Sequence, residues 1–407
     1  MKGCAGCILL AVLMLLTSCS NEPVRLNVVP DVVEKGDTAR RTLLVYMMAE
    51  NSLDKHAGYD LEEIAAVAGS VPRDCRLFVY VDGVSFPTMY QYFALTDGNA
   101  GSSVFHLFDH DVCSSDTTTL GVVLDYILEN YPTEKLDLVM WSHGDGWIRG
   151  PQNSAPQRSI GIDNGNNSFG NDGVRAIEVE ELAALLERLS LKVDRLVFDA
   201  CFMQCVEVIY ALRNAANWVV ASPAEIPGNG ADYSTLVPAF FMNDSPVGLV
   251  DAYLDAYEGE FAGAVLSVAR PSAATAFADA MYYYVNRYFA KEKKRDYVDV
   301  AAYLPGGKYN AVKAYPSYYD INAVMRKYLT VDEYEAWHEA FDLLVPYSKA
   351  SARWYSSVLG HVLEYDSARC CGVSVYLPQN SGYQQRFNDE FRTTGWYSAA
   401  GWSAAGW

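Results

Sequence analysis

Residues 136–147 read LDLVMWSHGDGW, an apolar run that leads into a histidine with glycines close behind it. Residues 194–203 read DRLVFDACFM and follow the same plan, because an apolar run leads into a turn that carries Cys201. Continuous apolar runs of this length are expected of strands buried on both faces. Each segment therefore predicts a buried strand with one reactive side chain, His143 or Cys201, just beyond its end.

The sequence around these two segments predicts an α/β fold. Residues 43–48 form another apolar run, and helical spacing of apolar side chains follows over residues 53–68. Strands that alternate with helices predict βαβ units and a mostly parallel sheet covered by helices on both faces. Ligands of such sheets bind beyond the carboxyl ends of the strands. His143 and Cys201 therefore meet in one crevice if their two strands are neighbours.

Composition and charge narrow the class of protein. The chain has 407 residues, of which 51% are hydrophobic, and a net charge of −19. This length allows one large domain or two ordinary ones. The acidic balance argues against nucleic acid as a partner. The sequence contains neither the Gly-x-Ser-x-Gly motif of serine hydrolases nor a Gly-rich phosphate loop, which argues against those classes.

The amino-terminal segment predicts export and a lipid anchor. Lys2 precedes a short apolar run at residues 7–16, and residues 16–19 read LTSC, as in a lipobox. We interpret residues 1–19 as a lipoprotein signal peptide with Cys19 as the lipidated residue, since the run is too short to span a bilayer. This interpretation places the protein in the cell envelope, on the outer membrane or facing the exterior. The alternative is an ordinary signal peptide cut nearby.

Residues 20–40 are polar and predict a tether, and residues 41–400 are expected to form the folded domain, with additional helices and strands towards its C-terminus. Within that domain a thiol needs help to attack a carbonyl group, because it is mostly protonated near neutral pH. An imidazole can stabilise the thiolate or take the proton. Gly144 allows close approach of a substrate, and its N–H together with that of Cys201 could form an oxyanion hole.

Two structural interpretations compete with this chemistry. His143 could cap a turn, and Cys201 could be a small buried side chain. A disulfide between Cys201 and Cys205 is also geometrically possible at the start of a helix. Because the histidine and the cysteine each follow a strand of their own, we favour the catalytic interpretation.

The two strand-end segments resemble the clostripain family of cysteine peptidases, which belongs to the caspase-like group. The resemblance covers most of residues 41–400, and the pairing of His-Gly with Asp-Ala-Cys is its most specific part. The matching positions are residues 43–47, 51–53, 141–147, 199–203, 207, 221–222, 225–228, 319–320 and 372–378.

This resemblance implies a caspase-like α/β/α sandwich and a cysteine endopeptidase that cleaves after Arg or Lys. In that family the acidic residue two before the nucleophile, here Asp199, lines the specificity pocket. A buried carboxylate suits a guanidinium or an ammonium group. Asp232 is the second candidate for this role. The expected partners are peptides or proteins with Arg or Lys before the cut, and the membrane through the lipid anchor.

Residues 147–175 lack periodic apolar spacing and predict one long exposed loop, where proteolysis concentrates. Relatives are often cut by their own active site in this loop, and the resemblance therefore implies self-cleavage here. Arg149, Arg158 and Arg175 are the basic residues of this stretch, and Arg158 has the most turn-prone surroundings. Arg158 is therefore our predicted site.

Two questions of cofactor and function stay open at this stage. Residues 163–167 read DNGNN, which is polar and calcium-like but lacks the ligand spacing of an EF-hand. No cofactor is required and no set of metal ligands is predicted, but calcium remains a candidate because some relatives bind it. The alternative function is a non-catalytic surface-binding lipoprotein that retains a peptidase fold.

Overall fold

The computed structural model describes residues 37–85, 87–95, 99–148, 159–165, 175–257, 263–297, 299–304, 317–365, 370–381 and 384–407. The strands of these residues are β1 (Arg41–Met48), β2 (Cys75–Asp82), β3 (Thr88–Ala94), β4 (Ala100–Phe105), β5 (Leu136–Trp141), β6 (Ile160–Asp163), β7 (Arg175–Ile177), β8 (Val193–Asp199), β9 (Ala216–Ala221), β10 (Val265–Ala269), β11 (Ala302–Leu304), β12 (Tyr318–Asp320), β13 (Tyr347–Ala350), β14 (Arg353–Ser356), β15 (His361–Glu364) and β16 (Ser374–Val375).

The helices of the same residues are α1 (Asp54–Val67), α2 (Thr117–Asn130), α3 (Val179–Glu187), α4 (Val206–Ala211), α5 (Tyr233–Met242), α6 (Val247–Asp255), α7 (Ala274–Tyr288), α8 (Ile321–Tyr328), α9 (Val331–Leu344), α10 (Gln385–Phe391) and α11 (Gly395–Ala399). Among the described helices, none is long and apolar enough to cross a membrane.

Nine strands form the central sheet, in the order β13-β10-β9-β8-β5-β1-β2-β3-β4. The five strands from β9 to β2 run parallel to one another, and the two strands at each edge pair antiparallel. Helices pack on both faces, as the near-continuous apolar strands predict. The predicted α/β/α sandwich with a largely parallel core is confirmed.

Alternate side chains of β1 show how the sheet separates two hydrophobic cores. Leu44 and Tyr46 point into one core, which is shared with α2, α3 and α7. Leu43 and Val45 point into the other core, which is shared with α1, α5 and α6. Successive side chains of a strand point to opposite faces, so residues 43–48 of β1 must be apolar throughout.

A buried ion-pair network aligns the amino-terminal ends of β1, β5 and β8. Asp137 of β5 accepts hydrogen bonds from the guanidinium groups of Arg41 and Arg195, and all three side chains are fully buried. Bidentate Arg–carboxylate contacts have a defined geometry. We infer that this network holds the three strands in the register that brings their opposite ends together at the site described below.

One part of the sequence interpretation is wrong, and one helix was not predicted. Residues 147–175 are not one exposed loop, because Ile160–Asp163 is a buried strand that pairs with Arg175–Ile177. Arg175 lies in that second strand and forms an ion pair with Asp116. The helix Tyr233–Met242 was not predicted, since Pro238 lies inside it and proline normally ends or kinks a helix.

Candidate active site

The parallel pairing of β5 and β8 brings the two predicted reactive residues to one cleft. Trp141 is paired with Asp199 at the ends of these strands, and His143 and Cys201 each lie two residues further on. The cleft has a volume of about 550 Å³ and includes both side chains in its lining. Both are partly exposed, unlike the fully buried strands that carry them. The structure therefore places His143 and Cys201 in the same solvent-accessible crevice.

Two glycines allow the histidine turn to lie directly against the cysteine turn. A Cβ atom on Gly144 would lie 2.7 Å from the carbonyl oxygen of Cys201. Gly146 has a φ of +67°, and a Cβ atom there would lie 2.9 Å from the carbonyl oxygen of Phe202. No larger residue fits either position without a shift of backbone, which explains why glycines follow this histidine.

The backbone around Gly144 is compatible with an oxyanion hole. The residues on either side of Gly144 form the hydrogen bonds to the segment around β6. The carbonyl of His143 accepts from the N–H of Gly161, and the N–H of Asp145 donates to the carbonyl of Ser159. This pattern leaves the N–H of Gly144 outside the pairing. The assignment of Gly144 and Cys201 as oxyanion donors stays a prediction that this arrangement supports.

The residue after the cysteine adopts an unusual backbone conformation. Phe202 has a φ of +61°, which is disfavoured for a bulky side chain and costs about 1–3 kcal/mol. Its ring stacks on Tyr318 with a centroid distance of 4.4 Å, and its N–H donates to the carbonyl of Ala224. These contacts hold a sharp turn after β8, and that turn presents Cys201 to the cleft.

Ser52 holds the imidazole of His143 from the side of β1. The distance between Ser52 Oγ and His143 Nε2 is 2.9 Å. Asn51 fixes this segment, because its side-chain amide donates to the carbonyls of Met48 and Ile162. Burial lowers the pKa of His143 below its usual value. The imidazole is therefore neutral at physiological pH and able to accept a proton.

The thiol of Cys201 is also neutral in the unliganded protein. Burial and the nearby carboxylates of Glu225, Asp145 and Asp199 raise the pKa of Cys201 to about 12. The N–H of Ile226 donates to Sγ at 3.4 Å, which favours the thiolate. With a neutral thiol and a neutral imidazole, the arrangement supports general-base removal of the proton more than a resting thiolate–imidazolium pair.

Asp199 lies at the base of the cleft with its carboxylate oriented by three donors. It is 3% exposed and accepts hydrogen bonds from the hydroxyls of Tyr233 and Tyr253 and from the N–H of Ala231. Burial raises the pKa of Asp199, and these three donors oppose that shift. Gly230 closes over the carboxylate, since a Cβ atom there would lie 2.8 Å from one of its oxygens. Asp199 is thus a fixed, buried carboxyl group among the residues that line the cleft.

More carboxylates surround Asp199. Asp60 accepts a hydrogen bond from Trp141 Nε1 at 2.8 Å, and burial with the charges of Asp199, Glu63 and Asp232 raises its pKa to about 8. Asp232 itself caps α5 by accepting from the N–H of Ser234, and it is not among the residues that line the cleft. The geometry thus favours Asp199 over Asp232 as the carboxylate nearest to a bound substrate.

Comparisons with known proteins identify the family. The model of the clostripain family matches residues 45–407. The chain belongs to the clostripain family. Clostripain of Hathewaya histolytica is 32% identical over 126 residues, which is 30% of this chain and 23% of that protein. The chain thus aligns with less than a quarter of the length of that curated relative.

One solved structure supports the family assignment and the fold, and a second supports the fold. A secreted C11 cysteine protease from Bacteroides thetaiotaomicron, in complex with an irreversible peptide inhibitor, has a TM-score of 0.74 and 27% identity. The alignment covers 90% of this chain and all of that one. An inactive zymogen C11 protease from Parabacteroides distasonis has a TM-score of 0.73 at 23% identity, over 90% of this chain and 99% of that one. The second likeness concerns the fold alone.

In this member of the clostripain family, the hairpin β14–β15 forms part of the cleft wall. Glu225 accepts hydrogen bonds from the backbone N–H groups of Ser357 and Val358 and from the hydroxyl of Ser356. Ser357 and Val358 line the cleft. The buried Glu225 therefore joins the loop beside Cys201 to the hairpin, a connection across more than a hundred residues that no local pattern predicts.

The remaining predicted site residues fall into two groups. Arg158 and Cys19 lie outside the described residues, and their roles stay predictions. Neither Cys201 nor Cys205 is in a disulfide, and Cys205 is buried. The sequence analysis assigned no role to Ser52, Asp60 or Glu225, although Ser52 and Glu225 lie in segments that match the family, since each reaches the site from another segment of the chain.

Proposed function

We propose that the chain is a cysteine endopeptidase that cleaves peptide bonds after Arg or Lys, with Cys201 as nucleophile and His143 as general base. The observation that carries this proposal is the meeting of His143 and Cys201 at the ends of adjacent parallel strands, with Asp199 buried in the same cleft. Membership of the clostripain family supports the reaction class.

The proposed reaction starts from a neutral Cys201 thiol and a neutral His143 imidazole. Cys201 Sγ attacks the substrate carbonyl carbon while its proton passes to His143, and the N–H groups of Gly144 and Cys201 receive the developing oxyanion. Collapse of the tetrahedral intermediate releases the amine, which takes the proton from His143, and leaves an acyl-enzyme. Water, deprotonated by His143, then hydrolyses the thioester. Ser52 keeps the imidazole oriented throughout.

Asp199 supports the preference for a basic residue before the cut. Burial and the charge of Asp199 raise the pKa of Asp60, and a guanidinium or ammonium group beside Asp199 would offset the second of these two causes. It would also screen one of the negative charges that raise the pKa of Cys201. Binding of the correct substrate would therefore favour the thiolate, which couples specificity to activation of the nucleophile.

Location and processing belong to the same proposal. We infer that Cys19 is lipidated and that the enzyme acts in the cell envelope on peptides or proteins from outside the cytoplasm; the LTSC segment is the support for this. Self-cleavage at Arg158 would separate β5 with its histidine from β8 with its cysteine. The two pieces would stay together, because β5 and β8 are paired along their length.

The proposal is tested with a panel of fluorogenic peptides that differ only in the residue before the cut. We expect cleavage after Arg and Lys, and little cleavage after Asp, Leu or Phe. Preference for an acidic or an apolar residue would overturn the specificity. Absence of cleavage throughout, together with no reaction of Cys201 with thiol-directed probes, would instead favour the non-catalytic binding lipoprotein.

A further inference from the structure

The loop at residues 222–228, which follows β9, lies directly against the nucleophile. The N–H of Ile226 donates to Cys201 Sγ at 3.4 Å, and the carbonyl oxygen of Ile226 lies 4.0 Å from the same sulfur. The carbonyl of Ala224 accepts from the N–H of Phe202. The loop is therefore bound to the cysteine turn, and the position of Ile226 sets the surroundings of the sulfur.

Glu225, the residue directly before Ile226, connects this loop to the tip of the hairpin β14–β15. Its carboxylate accepts from the N–H of Ser357 at 2.9 Å, from the N–H of Val358 at 3.1 Å and from the hydroxyl of Ser356. The side chain is buried, with 6% of the residue exposed. Three hydrogen bonds to one buried carboxylate fix the hairpin tip relative to the backbone of the loop.

The hairpin lies outside the central sheet, because β14 and β15 form a two-stranded sheet of their own. Its base is held by the buried ring of Trp354, which packs on the rings of Tyr303 and Tyr365 with centroid distances of 6.2 and 6.1 Å. Its tip supplies Ser357 and Val358 to the lining of the cleft. The tip can thus contact a substrate while Glu225 holds it to the catalytic loop.

The order of the strands indicates which part of a substrate reaches the hairpin. β5 and β9 lie on opposite sides of β8, so His143 and the loop at residues 222–228 flank Cys201 from opposite sides. In the proposed reaction His143 gives its proton to the leaving amine, and the residues after the cut therefore lie on its side. The residues before the cut extend along the loop towards the hairpin tip.

We propose that Glu225 is a positioning residue, which transmits contact between the hairpin tip and the substrate residues before the cut to the nucleophile. When a substrate packs on Ser357 and Val358, the tip, the carboxylate and the Ile226 peptide are held as one unit against the sulfur. Contacts far from the reacting bond then raise kcat in addition to lowering KM. The inference rests on the proposed function, because it takes Cys201 as the nucleophile.

The charge of Glu225 does not itself help the reaction. Burial and, after it, the charge of Glu225 raise the pKa of Cys201 to about 12, which disfavours the thiolate. The contribution of Glu225 therefore lies in its hydrogen bonds. Glu225→Gln keeps a carbonyl oxygen for the two N–H groups of the tip and can donate its amide to the hydroxyl of Ser356, so it should preserve the coupling.

The coupling is measured with two fluorogenic amides that have Arg before the cut. One is acetyl-Arg alone, and the other has three further residues before the Arg. In the wild-type chain we expect kcat for the longer substrate to be about fivefold higher or more. In Glu225→Ala this ratio should fall to about one, so that the longer substrate is favoured through KM alone. The same ratio in both chains, or a ratio of one in the wild type, would overturn the proposal.

Two variants separate positioning from a general loss of structure. Glu225→Gln should keep at least half of the wild-type ratio, because it keeps the hydrogen bonds. Glu364→Ala is the matched control, since Glu364 is an exposed glutamate of the same hairpin whose ion pair with Arg353 spans 3.8 Å. It should leave the ratio unchanged. Equal losses in Glu364→Ala and Glu225→Ala would contradict a specific role for Glu225.

Ser356→Ala is the second test if Glu225→Ala does not fold, as its unfolding temperature will show. It removes one of the three donors to Glu225, and the ratio of kcat values should fall at least twofold. An unchanged ratio in a folded Ser356→Ala chain would overturn the proposal. Absence of cleavage of both substrates by the wild type would instead contradict the proposed function and this inference with it. Cleavage with a ratio that no variant changes would contradict the role of Glu225 alone.

Discussion

Ser52 Oγ and His143 Nε2 lie 2.9 Å apart, although the two residues are 91 positions apart in the chain. The contact occupies one ring nitrogen of the imidazole and so orients the other. In cysteine peptidases the general base that activates the nucleophile is in turn oriented by a third group. Ser52 is thus a positioning residue that acts through His143.

The first prediction follows from this contact. Ser52→Ala should lower kcat by about 3–30-fold, because a misoriented base transfers the proton less efficiently. The temperature of unfolding should stay unchanged, and Ser52→Thr should restore most of kcat because it keeps the hydroxyl. Ser70→Ala, an exposed serine whose hydroxyl contacts only its own helix region, is the control. Unchanged kcat in Ser52→Ala would remove Ser52 from this role.

The second prediction concerns pH. His143 must be neutral to accept the thiol proton, so kcat/KM falls as the pH falls through the pKa of His143. Burial lowers that pKa, and we expect the midpoint of the acid limb below about 6.5, the ordinary value for histidine. A midpoint above this value in the free enzyme would contradict the neutral pair.

The high pKa of Cys201, about 12, makes a separate prediction for alkylation. The rate of reaction of Cys201 with iodoacetamide should rise with pH between about 6 and 9, since only the thiolate reacts. A flat rate across this range would instead indicate a resting thiolate–imidazolium pair. The measurement is mass-spectrometric quantification of the alkylated peptide at each pH.

The next prediction concerns specificity. Asp199→Asn should weaken cleavage after Arg and Lys by about 2–5 kcal/mol of transition-state stabilisation, because the substrate cation loses its charged partner. The same change should speed alkylation of Cys201, since it removes one of the negative charges that raise the pKa of the thiol. Asp232→Asn is the control, because Asp232 caps a helix and asparagine also caps well. Equal losses in both variants would contradict the assignment of Asp199.

Self-cleavage gives the fifth prediction. Arg158→Ala should prevent conversion of the purified chain to two fragments, while Arg149→Ala should not. Ser159, the residue after Arg158, is fully buried, so we expect slow cleavage that follows local opening of the chain. Electrophoresis beside Cys201→Ala provides the readout. Identical fragments from the Cys201→Ala chain would assign the cut to another peptidase.

Most of the fold was predictable because it depends on local patterns. β1, β5 and β8 each contain a continuous apolar run that is buried on both faces of the sheet. The strand Ile160–Asp163 is short and lies among polar residues, so its burial depends on pairing with β7, which local spacing does not show. The helix α5 was missed because Pro238 interrupts the expected pattern.

The site was predictable only in part. His143 and Cys201 could be singled out because each one follows its own apolar strand, and the structure shows that these two strands are neighbours. Asp60 and Glu225 could not, because their contacts with Trp141 and Ser356 join segments 81 and 131 residues apart. A single sequence contains no signal for such contacts.

The most direct test of the central claim is peptide mapping by mass spectrometry after reaction with an Arg-containing peptide chloromethyl ketone. We predict one covalent adduct on Cys201 and none on Cys205, which lies four residues away but is buried. Cys201→Ala should abolish both the adduct and peptide cleavage, while Cys205→Ala should keep both. An adduct on another residue, or a tenth or more of the activity in Cys201→Ala, would contradict the assignment of Cys201 as the nucleophile.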